Sequence, residues 1–509
     1  MLDAVVDHPF LSIFLLFVAF PTVYFTISVF SERRAIARLG ASPPQVRTWL
    51  PFGIDTVIRS MRFANNDTEI DFWYWLFSWS NEHSPTVEST LARERFIFTA
   101  DPENIKAVLA TQFDDFGKGE QFHQDWRHFL GDSIFTTDGS QWHASRQLIR
   151  PQFVKNRVAD LEILEKHVNK MLGKIDGQGA EVDISALFYR YTLDSATDFL
   201  LGRSVDSLDH PEAPFASAFN EVQRIQYLIS KSGPFNKLIP RKTFWAGLKV
   251  INAFVEPFIE QVLRMNKSDL SEKSSQSFLH ALAATGTRDR KIIRDQIVAV
   301  LLAGRDTTAG ALSCTFLELS AHPEIVRKLR REIVEKIGSR RAPTYEELKS
   351  MSYLQHVMNE TLRLYPGVPF NVRMALRDTT LPTGGGPDGT EPLGILKNTN
   401  IGYSPLYMQR RTDLFPPESP DFPHVLTYAP ERWEKWTPKA WTYIPFNGGP
   451  RICVGQQFAL TEMAYTIVRI LQRFEYISRY WEGEQKFKAE IVIKPANGVR
   501  VGFWNAEKA

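Results

Sequence analysis

The segment Phe446-Asn-Gly-Gly-Pro-Arg-Ile-Cys-Val-Gly455 places a single cysteine in a glycine-rich stretch just before a helical pattern. Glycines allow backbone N–H groups to turn toward the Cys453 sulfur, and the start of the next helix adds partial positive charge. Both effects favour the thiolate, which is the form of cysteine that binds metals. The alternative is a small buried apolar residue, the usual role of an isolated cysteine. The neighbouring residues favour a metal ligand.

Composition and charge exclude several classes of protein. The chain has 509 residues, of which 43% are hydrophobic and 23% charged, as in ordered globular proteins. A formal net charge of +2 is too small for a protein whose main function is to bind nucleic acid, so no nucleic-acid partner is expected. Cys314 and Cys453 are too few for a disulfide framework or a four-thiolate metal site, although one thiolate suffices to bind haem iron. Cys314 has apolar neighbours and is predicted to lie in the core.

The N-terminal region departs from this average. From Phe10 to Phe30, about twenty residues carry no formal charge, close to the length that spans a bilayer as a helix. Acidic residues precede the run and basic residues follow it: Asp3, Asp7, Arg33, Arg34 and Arg38. By the positive-inside rule the N-terminus faces the lumen and the rest of the chain lies in the cytosol. The alternative is a cleaved signal peptide, whose apolar region is normally shorter and follows its positive charges.

The remaining pattern predicts a mainly α-helical chain with small β-sheets. One helix, from about Ile292 to Ala321, is apolar on nearly every face and is expected to cross the protein's centre. Pro323 opens the next helix, and Thr344-Tyr-Glu-Glu347 is a capping box that opens another. Beyond Pro366, short extended pieces broken by glycine and proline indicate strands. We predict an anchor over residues 1–32, a basic and proline-containing hinge over 33–52, and one enzyme domain over 53–509.

Four spaced residues carry a family resemblance. Phe446, Gly449, Cys453 and Gly455 match Phe-x-x-Gly-x-x-x-Cys-x-Gly, the haem-binding signature of the cytochrome P450 superfamily. The resemblance implies a haem-thiolate monooxygenase that binds haem b, with Cys453 as the axial ligand of the iron and Phe446 and Gly455 beside it. It also implies that Arg451 pairs with a haem propionate.

A second motif, Ala303-Gly-Arg-Asp-Thr-Thr308, lies in the middle of the long apolar helix. Its Asp306-Thr307 pair resembles the family's acid–alcohol pair, which supplies protons for cleavage of the oxygen–oxygen bond of dioxygen. The alternative is a polar interruption of a core helix, with Thr307 bonding back to the preceding turn. By resemblance, Ala303, Val368 and Phe370 line the substrate pocket.

Further residues match supporting positions of the family. Glu360 and Arg363 lie three residues apart on one helical face, and the resemblance joins them to Arg432 in a buried charge network. The network is expected to fix the loop that carries Cys453. By the same resemblance, three residues upstream of that loop hydrogen-bond the haem propionates: Trp142, Arg146 and Arg373.

Three stretches point to one branch of the family. Ala303–Ala309, Leu381–Gly389 and Phe113–Gly119 are similar to the microsomal alkane- and fatty-acid-hydroxylating members of yeasts and filamentous fungi. The likeness implies hydroxylation of an apolar aliphatic substrate near its terminus, electrons from NADPH-cytochrome P450 reductase, and single-pass residence in the endoplasmic reticulum membrane. One alternative is a tailoring monooxygenase of a secondary-metabolite pathway that acts on a polyketide or terpenoid. Another is a haem protein that does not activate oxygen.

Overall fold

Helices form most of the fold, and the computed structural model describes residues 20–81, 83–91, 94–154, 159–273 and 276–506. The helices up to the central one are α1 Phe20–Leu39, α2 Ile54–Asn65, α3 Glu69–Phe77, α4 Pro102–Lys106, α5 Gly119–Leu130, α6 Gly139–Ile149, α7 Glu162–Leu172, α8 Ile184–Leu201, α9 Pro214–Lys231, α10 Lys242–Arg264, α11 Lys267–Glu272, α12 Phe278–Ala284 and α13 Arg290–Ala321. Those that follow are α14 Pro323–Lys336, α15 Tyr345–Ser350, α16 Ser352–Leu364, α17 Pro405–Met408, α18 Arg432–Lys435 and α19 Gln456–Arg473.

The strands are short and form small sheets at the edges of the helical body. They are β1 Thr86–Leu91, β2 Glu94–Thr99, β3 Phe116–Gly117, β4 Val182–Asp183, β5 Asn371–Ala375, β6 Thr379–Gly385, β7 Glu391–Ile395, β8 Asn400–Tyr403, β9 Phe474–Arg479, β10 Phe487–Ala489, β11 Ile493–Pro495 and β12 Arg500–Asn505. The largest sheet has the order β1-β2-β8-β5-β3, with β2 and β8 parallel and its other pairs antiparallel. Strands β4, β12 and β9 form a second sheet, and β6-β7 and β10-β11 form hairpins.

Helix α13 crosses the centre, as the sequence predicts. It packs against α8, α10, α16, α19 and β11. Its first half, Ile293 to Leu302, belongs to one apolar core cluster, and its second half, from Ala309, belongs to another. The polar segment 303–308 therefore lies where the two cores meet.

Local signals in the sequence account for several helix ends. Asp289 caps α13 by accepting hydrogen bonds from the backbone N–H groups of Lys291 and Ile292. The capping box at Thr344 is formed, with Glu347 as its reciprocal partner. Helix α19 follows the Cys453 stretch, as the helical pattern there predicts, and strands β5 to β12 lie beyond Pro366, where short strands are expected.

The predicted anchor lies mostly outside the described residues. Helix α1 continues through residues 32 and 33, so the predicted boundary between anchor and hinge falls inside a helix. The segment after it is attached to the body, because Ala41 N–H bonds Pro392 O at 2.8 Å and Val46 N–H bonds Glu88 O at 2.8 Å. Within the described ranges, α13 is the helix long and apolar enough to cross a membrane, and 78% of its most apolar window is buried in protein. Helix α13 is therefore a core helix.

Candidate active site

The loop that carries Cys453 is held in one conformation by close backbone packing. Gly449 has φ +66°, and a Cβ there would lie 1.9 Å from Leu109 O, so no other residue fits. The Cys453 N–H donates to Phe446 O at 3.0 Å, which closes the loop onto the signature phenylalanine. The Tyr403 hydroxyl anchors the loop from β8 by donating to Asn447 Oδ1 at 2.9 Å. Cys453 is thereby fixed two residues before Gly455, the N-cap of α19.

The Cys453 side chain is accessible although protein surrounds it, so it lines a cavity. Burial raises the pKa of the thiol, while the Gly455 backbone N–H and the charge of Arg146 act in the opposite direction. A bound metal ion deprotonates a coordinating thiol outright. The loop therefore presents a soft donor whose ionisation depends on its ligand.

Three cations converge near this loop with little compensation. Lys118, Arg373 and Arg451 interact closely enough that, after burial, the charges of both arginines lower the pKa of Lys118 well below its usual range. Asp138 is the carboxylate that opposes this shift, and it accepts from Arg451 Nη2 at 2.6 Å. The Asp138 carboxylate also accepts hydrogen bonds from the backbone N–H groups of residues 118 and 119, at 2.8 Å each.

This cluster fits the haem that the sequence implies. Among the described residues, the buried Nε of Arg451 has no hydrogen-bond partner, although such groups are normally paired. Three cations beside one carboxylate leave an excess of positive charge, and the two propionates of haem supply the missing negative charge. Arg451, Arg373 and Lys118 could therefore hold the propionates, and the Cys453 sulfur could bind the iron.

The other predicted cofactor residues occupy different places around the loop. Trp142 is buried, with Arg451 4.5 Å above its ring. Arg146 Nη1 donates to Ile452 O at 3.0 Å, so in this structure Arg146 braces the backbone beside Cys453. Phe446 is partly buried against the core.

The two members of the predicted acid–alcohol pair make separate contacts. Thr307 Oγ1 donates to Ala303 O at 2.6 Å, the back-bonding contact of a polar residue in a helix. This bond leaves the lone pairs of the hydroxyl oxygen available as acceptors. Asp306 is buried and turned toward α9, where its Oδ2 accepts from Gln223 Nε2.

Open space lies beside the middle of α13. A Cβ built on Gly304 would meet nothing within 4 Å, and Ala303 and Thr307 are only partly buried in this otherwise buried stretch. Val368 and Phe370 are also partly buried, and Gly367 of the same loop approaches Thr307 to 3.6 Å, measured from an ideal Cβ to the threonine Cβ. The two residues that approach Thr307 here, Ala303 and Gly367, carry no polar side chain.

The predicted Glu360 network is in contact and fully buried. The carboxylate accepts from Arg363 Nε and Nη2 at 2.8 Å each and from Arg432 Nε at 2.9 Å. Burial alone would raise the pKa of Glu360, but the two guanidinium groups outweigh it and hold the pKa below its usual value. Arg363 Nη1 also donates to Gln409 O at 3.2 Å, and Gln409 Oε1 accepts from Ile444 N at 2.8 Å. This chain of contacts connects the network to the start of the Cys453 loop.

Two residues of this site were not predicted from the sequence. Lys118 lies inside Phe113–Gly119, a stretch that indicated only a branch of the family, although a lysine between two glycines is a local signal. Gln223 gave no signal, because its contact with Asp306 depends on how α9 packs over α13.

Comparison with known proteins agrees with the geometry. The family model for cytochrome P450 matches residues 70–500. Cytochrome P450 monooxygenase pvhE of Talaromyces variabilis is 47% identical over 497 residues, covering 93% of this chain and 92% of the relative. Cytochrome P450 52E1 of Candida apicola is 39% identical over 90% of each chain, and cytochrome P450 52A4 of Candida maltosa is 40% identical over 84% of this chain and 83% of its own. The chain therefore belongs to the cytochrome P450 family and is a monooxygenase with haem as its cofactor.

Proposed function

We propose that this monooxygenase hydroxylates an aliphatic chain, an alkane or a fatty acid, at or near its terminus. In the overall reaction, dioxygen and NADPH with a proton convert a C–H bond to C–OH, and water and NADP⁺ are the other products. The observation that supports the proposal is the open space beside Gly304 in the middle of α13, next to the partly buried Ala303 and Thr307. In this proposal Ala303, Val368 and Phe370 line that space as an apolar wall. An alkyl end gains free energy by entering such a site, whereas a carboxylate would lose its solvation there.

Aromatic side chains of the core pack against Phe370 in turn. The Phe370 ring packs 5.4 Å from that of Trp73 on α3, and Trp73 lies 6.1 Å from both Phe77 and Phe98. Such a lining orients an extended apolar chain mainly by exclusion of water. The end that reaches Thr307 is then the alkyl end, which supports oxidation at or near the terminus.

The haem supplies oxygen activation when bound, and the surrounding residues prepare the site for it. Cys453 would supply the sulfur that binds the iron, and Arg451, Arg373 and Lys118 would hold the propionates. In this proposal the Thr307 hydroxyl acts as proton donor and acceptor, and Asp306, one position earlier, is the carboxyl group that passes protons to it. The apolar wall keeps bulk water from the reacting carbon.

Exposed apolar side chains support attachment to the endoplasmic reticulum membrane. In α1, Val23, Ile27 and Phe30 are each more than half exposed. Two loops beside the end of β1 add Trp49, 87% exposed, and Leu238, 78% exposed. Residues this apolar and this exposed mark an interaction surface, and a lipid bilayer suits both loops and helix. Release of the chain from microsomes by alkaline extraction would contradict an integral anchor.

Product analysis tests the proposed reaction. Microsomes that contain the full chain and NADPH-cytochrome P450 reductase are incubated with lauric acid, hexadecane and alkyl-bearing polyketide or terpenoid intermediates. A terminal or subterminal alcohol from lauric acid or hexadecane is the expected product. Oxidation of the intermediates alone would favour the tailoring function. If the protein consumed no NADPH with any of these substrates, a haem protein that does not activate oxygen would be favoured.

A Cys453→Ser variant is the matched control for the iron ligand. The reduced wild-type protein with carbon monoxide should give the absorption of thiolate-ligated haem, and the variant should lose both this absorption and product formation. Persistence of the thiolate spectrum in the variant would refute Cys453 as the ligand.

A further inference from the structure

Asp306 is 7% exposed, so it has little direct contact with bulk water from which to take up protons. Its Oδ2 accepts from the amide of Gln223, and an amide N–H does not relay protons. Its Oδ1 is buried without a hydrogen-bond partner in the described part of the chain. Arg305 Nη1 lies 3.4 Å from Oδ1, but a guanidinium does not give up its proton. Another group must therefore return protons to Asp306.

Two further buried polar atoms beside Asp306 lack partners within the described ranges. They are the Nε of Arg305 and the hydroxyl of Tyr189 on α8. The Arg305 guanidinium lies 5.8 Å from the centre of the Tyr189 ring, so the two side chains are neighbours. Unpaired donors and acceptors grouped in this way are the usual setting of an ordered internal water.

Tyr189 also has neighbours that reach the protein surface. On its outer side, Lys494 Nζ lies 5.8 Å from the Tyr189 ring centre and is paired with Glu490 at 3.4 Å. The side chains of Lys494 and Glu490 are each 32% exposed, so they meet solvent. Burial chiefly raises the pKa of Tyr189 well above its ordinary value, and the charges of Asp306 and Glu490 add to this effect. The hydroxyl is therefore neutral and can accept one proton while it donates another.

We infer that Tyr189 is the proton-relay residue that refills Asp306, through an ordered water between the Tyr189 hydroxyl and Asp306 Oδ1. When Asp306 passes a proton toward Thr307, the water donates one to Oδ1. The water is restored by the Tyr189 O–H, and the proton that the hydroxyl gives up is replaced from solvent on the side where Lys494 and Glu490 lie. Each step transfers one proton, and bulk water is the source. This role deepens the proposed function and rests on it.

Tyr189→Phe tests the relay, since it keeps the ring between Arg305 and Lys494 and removes only the hydroxyl. The variant is assayed with the reductase and a substrate that the wild type oxidises. Its ratio of hydrogen peroxide released to product formed should be about tenfold higher than that of the wild type. The solvent deuterium isotope effect on product formation should also rise, because proton return becomes slower. Tyr191→Phe is the matched control: Tyr191 is a buried tyrosine on the same helix, whose hydroxyl accepts from Thr466 Oγ1 at 3.0 Å. It should leave both quantities unchanged.

Crystal structures of the haem-loaded protein give a test independent of turnover. In the wild type, a water should contact both Asp306 Oδ1 and the Tyr189 hydroxyl, and in Tyr189→Phe it should be lost or displaced. Absence of that water from the wild type, or a Tyr189→Phe enzyme with wild-type coupling and isotope effect, would overturn the relay. The wild-type crystal structure remains decisive even if the variant fails to fold. A wild type that oxidises no substrate would instead refute the proposed function.

Discussion

Two buried charge clusters flank the Cys453 loop, and they differ in how completely the chain satisfies them. Around Glu360, one carboxylate meets two guanidinium groups, and its remaining acceptor sites are filled by the Ala429 N–H and the Trp433 indole N–H at 3.0 Å each. Around Arg451, three neighbouring cations have one carboxylate, Asp138, which pairs with Arg451, and the Arg451 Nε keeps no partner in the described part of the chain. The first cluster is complete, whereas the second lacks negative charge.

The difference distinguishes residues that stabilise the fold from residues that would bind a ligand. A closed cluster contributes specificity to the folded chain and has nothing left to offer another molecule. In an open cluster, buried like charges with too little opposite charge cost free energy, and a bound group of opposite charge offsets that cost. Changes in the first cluster should therefore lower stability, and changes in the second should lower affinity for haem.

The largest effect is expected from Glu360→Ala, which leaves two buried guanidinium groups without their carboxylate. The free energy of unfolding should fall by about 3–5 kcal/mol, and bound haem should be lost with the loop. Denaturant titration with haem absorbance as a second probe measures both. Glu434→Ala is the control, because the Glu434–Lys328 pair is nearly half exposed and should change stability by less than about 1 kcal/mol. Equal stabilities of the two variants would remove the distinction between the clusters.

The two clusters also differ in how far they could be predicted from the sequence. Glu360 and Arg363 are three residues apart on one helix, so their contact follows from local spacing, and only Arg432 required the family resemblance. The Cys453 loop and α13 were equally accessible, because glycine spacing and a long apolar helical pattern are local signals. The fold class therefore followed from the sequence.

The open cluster and the relay depend on tertiary packing. Lys118 follows β3, Arg373 lies on β5, and Arg451 lies in the Cys453 loop, so their convergence requires the sheet pairing of β3 with β5. Tyr189 and Asp306 likewise lie on separate helices. No spacing along the chain encodes such approaches, and these are the contacts that tune the site.

Glu462 on α19 is a buried acid that contrasts with Glu360, because no cation contacts it among the described residues. Burial raises its pKa to about 7, and the Ser195 hydroxyl, which donates at 2.6 Å, opposes the shift only in part. The folded protein therefore binds this proton more tightly than the unfolded chain. Stability from the neutral acid is complete below the unfolded pKa and is lost as pH rises through about 7.

Glu462→Gln should remove this dependence, because the amide cannot ionise. Between about pH 5 and pH 8, the wild type should lose roughly 3 kcal/mol relative to the variant. Denaturant midpoints measured across that range give the slope. Parallel slopes for wild type and variant would show that Glu462 is already ionised in the folded protein and has a compensating partner.

The smallest effect on stability is expected from Lys118→Met in the open cluster. Its ammonium is buried beside Arg373 and Arg451, so its removal relieves repulsion, and the haem-free protein should unfold within about 1 kcal/mol of the wild type or be more stable. Haem should nevertheless bind about tenfold more weakly, because one charge-assisted contact is lost. Lys106→Met, at a lysine 38% exposed, is the control for loss of charge alone.

Haem dimethyl ester isolates the contact that this prediction assumes. Its propionates are neutral, so wild type and Lys118→Met should bind it with equal affinity if Lys118 acts on the carboxylates. The four affinities form a double-variant cycle whose coupling energy belongs to the lysine–propionate pair. A Lys118→Met defect that persists with the ester would mean that Lys118 supports the site through Asn371, which its Nζ contacts at 3.0 Å, and that the open cluster is filled without it.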